Sequence, residues 1–362
     1  MENETQGELQ PGTQNELQNE PQNAGQSQKT AKHSYKVICA KLGISMSVYF
    51  ICRILSSLIV GLIVKLTGET GYAAYYLSYV VVILMVYIIP LFVTAVIFGS
   101  FKHFKGRLHE LYAKPRRLAR AFGTFPAMYG LGLGVALLTL LISYLISKIT
   151  GGQTFIEDIL RPSAIEPPTN IISALIMVVL LVVIAPIFEE LWVRGIVYDA
   201  LKPYGCGIAI IFSSVIFGLM HGSLYMLFYT TTLGFALGYV RYATNSLFVV
   251  TILHAIINAV AAGYLFLSSL TEITNGANRL FNTFLNIYGL ALLVLIIVGV
   301  IAFIRRIPVI RRYRIDNPWN EISAGRKTAI FLTSIPVIIM LILAFNEHTN
   351  YWLLGLLIGN VK

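Results

Sequence analysis

Long stretches without charge constrain the fold of this 362-residue chain more than any other feature. Residues 72–100 and 121–147 contain no Asp, Glu, Lys or Arg. An apolar helix of about 20 residues is enough to cross the ~30 Å hydrocarbon core of a bilayer. Charged residues make up only 12% of the chain, against roughly 25% in soluble domains. The sequence therefore excludes a soluble enzyme and predicts an all-α, polytopic membrane protein.

Apolar segments of this kind recur along the whole chain. They predict about eight or nine transmembrane helices, near residues 42–64, 72–100, 121–147, 168–189, 203–221, 223–240, 246–269, 280–304 and 328–346. Two spans also contain glycines four residues apart, Gly130 with Gly134 and Gly234 with Gly238. This spacing is typical of membrane helices that approach each other closely.

The charged residues lie mostly between the spans and predict an orientation. The net charge is +10, with strongly basic loops at 101–120 and 305–327 and a mostly acidic loop at 150–166. Short basic loops remain in the cytoplasm. This rule predicts a multi-pass protein of the cell membrane whose N-terminus lies on the cytoplasmic side. Anionic membrane lipids are natural partners of such loops, and nucleic acid is not expected as a partner.

Composition divides the chain into four regions. Residues 1–34 are rich in Gln, Asn and Glu, and they predict a disordered polar tail. Residues 35–165 hold the first three spans, and residues 166–270 form a core with polar groups inside its spans. Residues 271–362 hold the C-terminal spans.

Six polar side chains interrupt three spans of the core: Glu189, Glu190 and Arg194 in the fourth, His221 in the fifth, and His254 and Asn258 in the seventh. Ionisable groups in hydrocarbon are expensive and usually functional. Glu189 precedes Tyr204 by 15 residues and His221 follows it by 17, so a turn at Tyr204 puts both at similar heights on neighbouring helices. We expect one catalytic pocket among spans four, five and seven. Arg53 lies in the first span, where its position alone indicates no role.

The residue types in such a pocket suit hydrolysis of an amide. A carboxylate and an imidazole can hold and deprotonate a water, and a second imidazole with a carboxamide can donate hydrogen bonds to the oxyanion. Two alternatives remain open. Glu189, His221 and His254 are also a ligand set for a divalent metal such as zinc, and Glu190 with Arg194 could form a purely structural ion pair beside packed histidines.

Three segments that contain these residues resemble the motifs of a known family. They are FEELWVRG (188–195), FGLMH (217–221) and HAIIN (254–258). In order, they are similar to the EExxxR, FxxxH and HxxxN (or HxxxD) patterns of the CPBP family. That family comprises CAAX-processing and bacteriocin-processing intramembrane proteases (the Abi domain), which are related to type II CAAX prenyl endopeptidases. The resemblance covers about residues 170–265, and its one departure is Val193, where an aromatic residue often precedes the arginine.

The resemblance implies a role for each residue: Glu189 and His221 activate the water, His254 and Asn258 form the oxyanion site, Glu190 and Arg194 brace the first motif, and Phe217 packs beside His221. It implies a membrane-associated peptide or protein as substrate, either a prenylated protein or a bacteriocin precursor. Members are commonly labelled metalloproteases, but the glutamate-driven reaction needs no cofactor, and zinc is kept as the alternative.

Other functions remain open beside the intramembrane endopeptidase. A non-catalytic bacteriocin-immunity protein or membrane scaffold of the same family is the main alternative. A transporter is a third, because buried polar groups also line transport pathways, but no pair of matching broken spans repeats in two halves. The layout and the absence of eukaryotic targeting signals favour a bacterial cell membrane.

Overall fold

The structure is a computed structural model that describes residues 12–67, 72–99, 114–150, 171–273, 279–312 and 322–348. Nearly all of these residues are helical, and no strand occurs among them. The predicted loops lie largely outside the described ranges, since residues 100–113, 151–170 and 313–321 are not described. The orientation inferred from their charges stays a prediction.

Thirteen α-helices make up the described ranges. The N-terminal half contains α1 (Gly12–Thr67), α2 (Tyr72–Val82), α3 (Ile89–Ile97) and α4 (Leu118–Thr150). The centre contains α5 (Ile171–Val179), α6 (Ala185–Trp192), α7 (Tyr198–Leu201), α8 (Cys206–Leu219), α9 (Leu224–Thr244) and α10 (Leu247–Ile273). The C-terminal part contains α11 (Arg279–Arg312), α12 (Ala324–Leu332) and α13 (Ile335–His348).

Six helical spans in the described ranges are long and apolar enough to cross a membrane: Lys32–Thr67, Tyr76–Ile97, Ala121–Ile146, Ile171–Tyr204, Leu247–Ser268 and Arg279–Ile307. The pair α12 and α13, bent by 69°, would make a seventh. The predicted all-α, multi-pass architecture is confirmed. The described parts of the nine predicted segments are largely helical. The segments at 203–221 and 223–240 are not among the six spans, and α8 has only 14 residues, so the number of eight or nine spans stays a prediction.

The first helix begins within the region that low complexity predicts to be disordered. Its backbone is helical from Gly12, and Gln and Glu, which are frequent there, have high helix propensity. The disordered tail over residues 1–34 stays a prediction. Among the side chains that the structure describes in this helix, Tyr35 is the first that is fully buried.

Two spans contain a wide helical turn immediately before a proline. A π-helical segment, Ile83–Ile88, joins α2 to α3 ahead of Pro90, and another, Leu180–Ile184, joins α5 to α6 ahead of Pro186. Proline has no N–H and its ring collides with the preceding turn, so the backbone hydrogen bonds shift register there. Pro186 lies about one turn before the Glu189–Glu190 pair, so the wide turn ends close to the first motif.

The buried core lies where α1 packs between the central helices and α13. Tyr35, Leu42, Met46 and Phe50 along α1 share one apolar cluster with side chains of α6 to α8 and with Val337 and Met340 of α13. A second cluster joins α4, α9 and α10. The central helices are therefore held on both sides, by the N-terminal and the C-terminal parts of the chain.

The glycine pairs mark close helix crossings, as their spacing predicted. A Cβ on Gly130 of α4 would collide with the backbone of Gly299 in α11, and a Cβ on Gly234 of α9 would come within 2.8 Å of the Ser214 Cα in α8. A Cβ on Gly134 or Gly238, one turn further along, would meet a side-chain methyl group at 3.3 Å, which is a tight contact. Both pairs are therefore packing surfaces, and the prediction is confirmed.

A buried cation ties the C-terminal bend to the centre of the fold. Lys327 of α12 is fully buried, and its Nζ donates to the Tyr204 carbonyl at 2.6 Å. Tyr204 ends the 3-10 turn Lys202–Tyr204, and Gly205 follows with a φ of 127°. This is the turn that the sequence predicted between spans four and five.

Glycine substitutions in α11 test the crossing with α4. Gly299→Ala should destabilise the protein by about 1–3 kcal/mol, because its Cβ has no space against Gly130. Gly289→Ala in the same helix is the matched control, because a Cβ there meets nothing within 4 Å. Reversible unfolding in mixed detergent micelles measures both. Equal stability of the two variants would contradict the close crossing.

Candidate active site

The first motif contributes a buried ion pair. Glu190 and Arg194 lie one turn apart, where α6 passes into a further π-helical segment, Val193–Val197. Both side chains have 0% exposure. Arg194 Nη1 donates to Glu190 Oε1 at 2.7 Å, and Arg194 Nη2 donates to the Gly234 carbonyl of α9 at 3.2 Å. The guanidinium thus joins the first motif to a helix outside the motifs.

The third motif contacts the same carboxylate. His254 of α10 is 3% exposed, and its Nδ1 lies 2.8 Å from Glu190 Oε1. A carboxylate paired with an arginine accepts hydrogen bonds, so His254 Nδ1 carries the hydrogen in this contact. The other ring nitrogen, Nε2, is then directed at the neighbouring carboxylate, 3.8 Å from Glu189 Oε2.

Glu189 presents a carboxylate with capacity for a further hydrogen bond. Its side chain is 13% exposed. The buried Oε2 atom accepts no hydrogen bond from the described part of the chain. Because an unsatisfied carboxylate oxygen in an apolar interior is costly, this oxygen is suited to hold a water molecule or a polar group of a substrate.

The second motif supplies a phenyl ring that the other two motifs contact. The Phe217 ring of α8 lies under the guanidinium of Arg194, 4.4 Å from its centroid. The ring meets His254 edge-on at 5.4 Å and His221 edge-on at 4.8 Å. The two histidines therefore flank one ring, and Phe217 is the packing residue that the resemblance implies.

His221 lies in the turn just after α8 rather than within the helix. Its Nδ1 is 2.7 Å from the Phe217 carbonyl. A carbonyl only accepts, so Nδ1 carries the hydrogen and Nε2 is the nitrogen that can take up a proton. Gly222, with a φ of 67°, and Ser223, whose hydroxyl caps α9, complete the turn. The turn fixes the position of the imidazole.

Asn258 has a partner that the sequence did not suggest. Its Nδ2 donates to the Leu181 carbonyl at 2.8 Å. In the π-helical register, where Ala185 N–H bonds to the Leu180 carbonyl, the next donor would be residue 186, which is a proline without an N–H. Asn258 thus satisfies a carbonyl that Pro186 leaves without its backbone donor. The predicted oxyanion role has only the second hydrogen of the amide available.

The structure brings five of the six predicted side chains together, four of them in direct contact and the fifth through a shared aromatic neighbour. Glu189, Glu190, Arg194 and His254 contact one another directly, and His221 joins them through Phe217. Asn258 points to the backbone of the fourth span instead. The catalytic roles of these residues and a common water-filled pocket among them stay predictions.

The residues do not fit the metal alternative in this arrangement. Among the described residues, no three His, Cys, Asp or Glu side chains lie together as ligands of one ion. His221 and His254 each make their own edge-on contact with the Phe217 ring, and His254 Nδ1 is already bonded to Glu190.

Two residues of α1 reach this site and were missed by motif reasoning. Arg53 Nη1 donates to the Met220 carbonyl at 2.6 Å, and Tyr49 Oη donates to the same carbonyl at 2.8 Å. Met220 precedes His221, so both donors hold the end of α8 that carries the histidine.

A signal for these residues existed in the sequence. An arginine within an otherwise apolar span needs a polar partner, and Tyr49 lies one turn before Arg53 on the same helical face. The ring of Tyr49 also packs edge-on against Trp192, with centroids 5.0 Å apart. Which carbonyl the pair would contact depends on how α1 packs against α8, and the local sequence does not contain that information.

Residues 171–260 match the family model described as type II CAAX prenyl endopeptidase Rce1-like. The match covers all three motifs and confirms the family resemblance that they indicate. The match and the apolar helices together support a multi-pass membrane protein with a segment of a protease family. Comparison with curated proteins and with solved structures gives no match.

Removing the donors of the Met220 carbonyl tests the contribution of α1. Tyr49→Phe should cost about 1 kcal/mol and Arg53→Gln about 1.5–3 kcal/mol of unfolding free energy. The double variant should depart from the sum of the two single losses, because both groups donate to one carbonyl and Arg53 Nη1 also donates to Tyr49 Oη at 3.0 Å. Unfolding in mixed micelles measures the cycle, with Lys65→Gln in the same helix as control. Strict additivity would contradict a shared acceptor.

Proposed function

We propose that this protein is an intramembrane endopeptidase that hydrolyses a peptide bond with water activated by Glu189 and His221. The observation that carries the proposal is the convergence of the three motifs on Phe217, beside the unsatisfied carboxylate oxygen of Glu189. A structural ion pair alone would not need a second carboxylate next to the first.

The reaction begins with removal of a proton from water. Glu189 Oε2 accepts the proton, and His221 Nε2 accepts a hydrogen bond from the same water and orients it. The hydroxide then attacks the carbonyl carbon of the substrate peptide.

The tetrahedral intermediate carries its negative charge on the former carbonyl oxygen. His254 is oriented for this charge, because Glu190 holds its Nδ1 and leaves Nε2 directed at the Glu189 side of the site. In its protonated form His254 donates from Nε2, and the second amide hydrogen of Asn258 adds a donor. Collapse of the intermediate breaks the C–N bond, and Glu189 returns its proton to the leaving amine.

The substrate class follows from the position of the site. The groups lie on apolar helices, so a peptide reaches them from the membrane or from its surface. The family match favours a membrane-associated protein near a prenylated C-terminus, and a bacteriocin precursor is the second substrate class. We place the protein in a bacterial cell membrane with its N-terminus in the cytoplasm.

A non-catalytic immunity or scaffold function is the second candidate. Its support is the contact network of Glu190, in which Arg194 and His254 both bond to Oε1 while Oε2 has no hydrogen-bond partner in the described part of the chain. This network can hold α6, α9 and α10 together without turnover. It gives no role to Glu189, whose Oε2 accepts no hydrogen bond from the described residues and lies 3.8 Å from His254 Nε2, which is why the endopeptidase is preferred.

Replacing Glu189 distinguishes these two functions. Glu189→Gln should lower the cleavage rate of a prenylated CAAX peptide in proteoliposomes by about 10²–10⁴-fold, because the amide cannot accept the proton from water. Lys65→Gln, a remote change in α1, should cleave normally. The measurement is mass spectrometry of the released peptide, with the unprenylated peptide assayed beside it.

The outcome that contradicts the mechanism is a Glu189→Gln variant that inserts, folds and cleaves as fast as the parent. If no substrate is cleaved by the parent and a partner-protection phenotype survives Glu189→Gln, the scaffold function is favoured instead.

Removal of divalent metal should leave the activity unchanged. The described His and acidic side chains do not gather as three ligands, so the proposed proton transfers need only protein groups. Activity after prolonged chelation, followed by elemental analysis of the protein, provides the measurement. Activity that is lost on chelation and restored by zinc would overturn the metal-free mechanism.

A further inference from the structure

A basic cavity lies at the turn between α9 and α10, and none of the motif residues lines it. Its volume is about 430 Å³, and Lys114, Pro115, Arg116 and Asn245 line it. Asn245 is the C-cap of α9 and has a left-handed backbone with a φ of 51°. The segment before α4 and the turn between α9 and α10 thus form the walls.

The cavity is positively charged, and the neighbouring acid is already engaged. Asp199 accepts two hydrogen bonds from Arg241 Nη2, at 3.0 and 3.2 Å. Asn245 Oδ1 accepts from Arg241 Nη1 at 3.1 Å and lies 3.4 Å from Lys202 Nζ. With its oxygen directed at these cations, Asn245 presents its amide nitrogen as a further donor.

The basic segment before α4, residues 114–117, is held against the end of α9 by a backbone hydrogen bond. Arg116 N–H donates to the Thr244 carbonyl at 2.9 Å, which docks the segment onto the end of α9. Arg117 has a φ of 51°, a left-handed conformation that is uncommon for a residue with a side chain. Lys114 and Arg116 are exposed, so their charges face outward from a preorganised loop.

Apolar side chains continue outward from this cavity along two helices. Leu118 and Phe122, one turn apart on α4, are 37% and 51% exposed. Phe248 and Ile252, one turn apart on α10, are 52% and 43% exposed. Cationic donors followed by exposed apolar ridges are the arrangement that an anionic amphiphile requires.

We propose that this cavity binds a phosphate group, with Lys114, Arg116 and the Asn245 amide as donors. The phosphate comes from the headgroup of an anionic phospholipid or from soluble phosphate, and the flanking apolar ridges favour the phospholipid. The site is separate from the proposed catalytic residues and does not depend on protease activity.

The test compares lipid retention by the full-length protein and by charge variants. Protein in phosphatidylcholine nanodiscs with a minor fraction of phosphatidylglycerol is extracted, and the bound lipids are counted by native mass spectrometry. The double variant Lys114→Gln/Arg116→Gln should retain phosphatidylglycerol about 30-fold less well, from the usual contribution of two basic residues near a membrane surface. Lys148→Gln, at the other end of α4, is the control for loss of a basic residue away from the cavity.

A second arm distinguishes the two sources of phosphate. Titration of detergent-solubilised protein with inorganic phosphate, followed by thermal shift, should give a weak response that the double variant loses. Lipid retention that depends on Lys114 and Arg116 supports a headgroup site, and a phosphate response without lipid retention supports a soluble anion. Equal behaviour of the parent, the Lys148→Gln control and a normally folded double variant in both arms would overturn the proposal.

Discussion

The centre of this structure depends on one carboxylate that has no contact with solvent. Glu190 is fully buried in an apolar helix bundle, where an unpaired charge would cost several kcal/mol. It is tolerated because Arg194 and His254 both bond to one of its oxygens. These bonds fix α6 against α10, while Arg194 also contacts the Gly234 carbonyl and the Phe217 ring and so fixes α8 and α9. Burial of a single acid therefore dictates how four helices pack, and it leaves the adjacent Glu189 facing the second ring nitrogen of His254.

Helices outside the motifs hold the short helix α8 at both of its ends. Lys327 donates to the Tyr204 carbonyl just before α8 begins, and Arg53 donates to the Met220 carbonyl just after it ends. Each is a cation that crosses from a different part of the chain to a main-chain carbonyl. A backbone carbonyl in an apolar interior needs a donor, and a charged donor forms the stronger hydrogen bond. The placement of His221 thus depends on residues more than 100 positions away from it in either direction.

The sequence was informative wherever a local pattern carried the physical cause. Uncharged stretches predicted the helices, glycine spacing predicted the crossings at Gly130 and Gly234, and the turn before Gly205 followed from its residue types. The Glu190–Arg194 pair followed from helical periodicity. The partner of Asn258 did not, because it depends on a hydrogen-bond register that shifts ahead of Pro186. The contacts of Arg53 also could not be predicted, since they depend on which helix lies against α1, and hydropathy alone could not decide whether 14 residues of α8 count as a full span.

The length of α8 has a consequence for the surrounding lipid. Fourteen helical residues rise only about 21 Å, which is several ångströms less than the apolar thickness of an ordinary membrane. A helix that is too short is accommodated by thinning of the nearby bilayer, because tilt would shorten its span further. Thinning draws the headgroup region inward toward the turn that carries His221. Hydrophobic mismatch would then give both water and an extended polypeptide a short path to a candidate site that otherwise lies within the hydrocarbon core of the membrane.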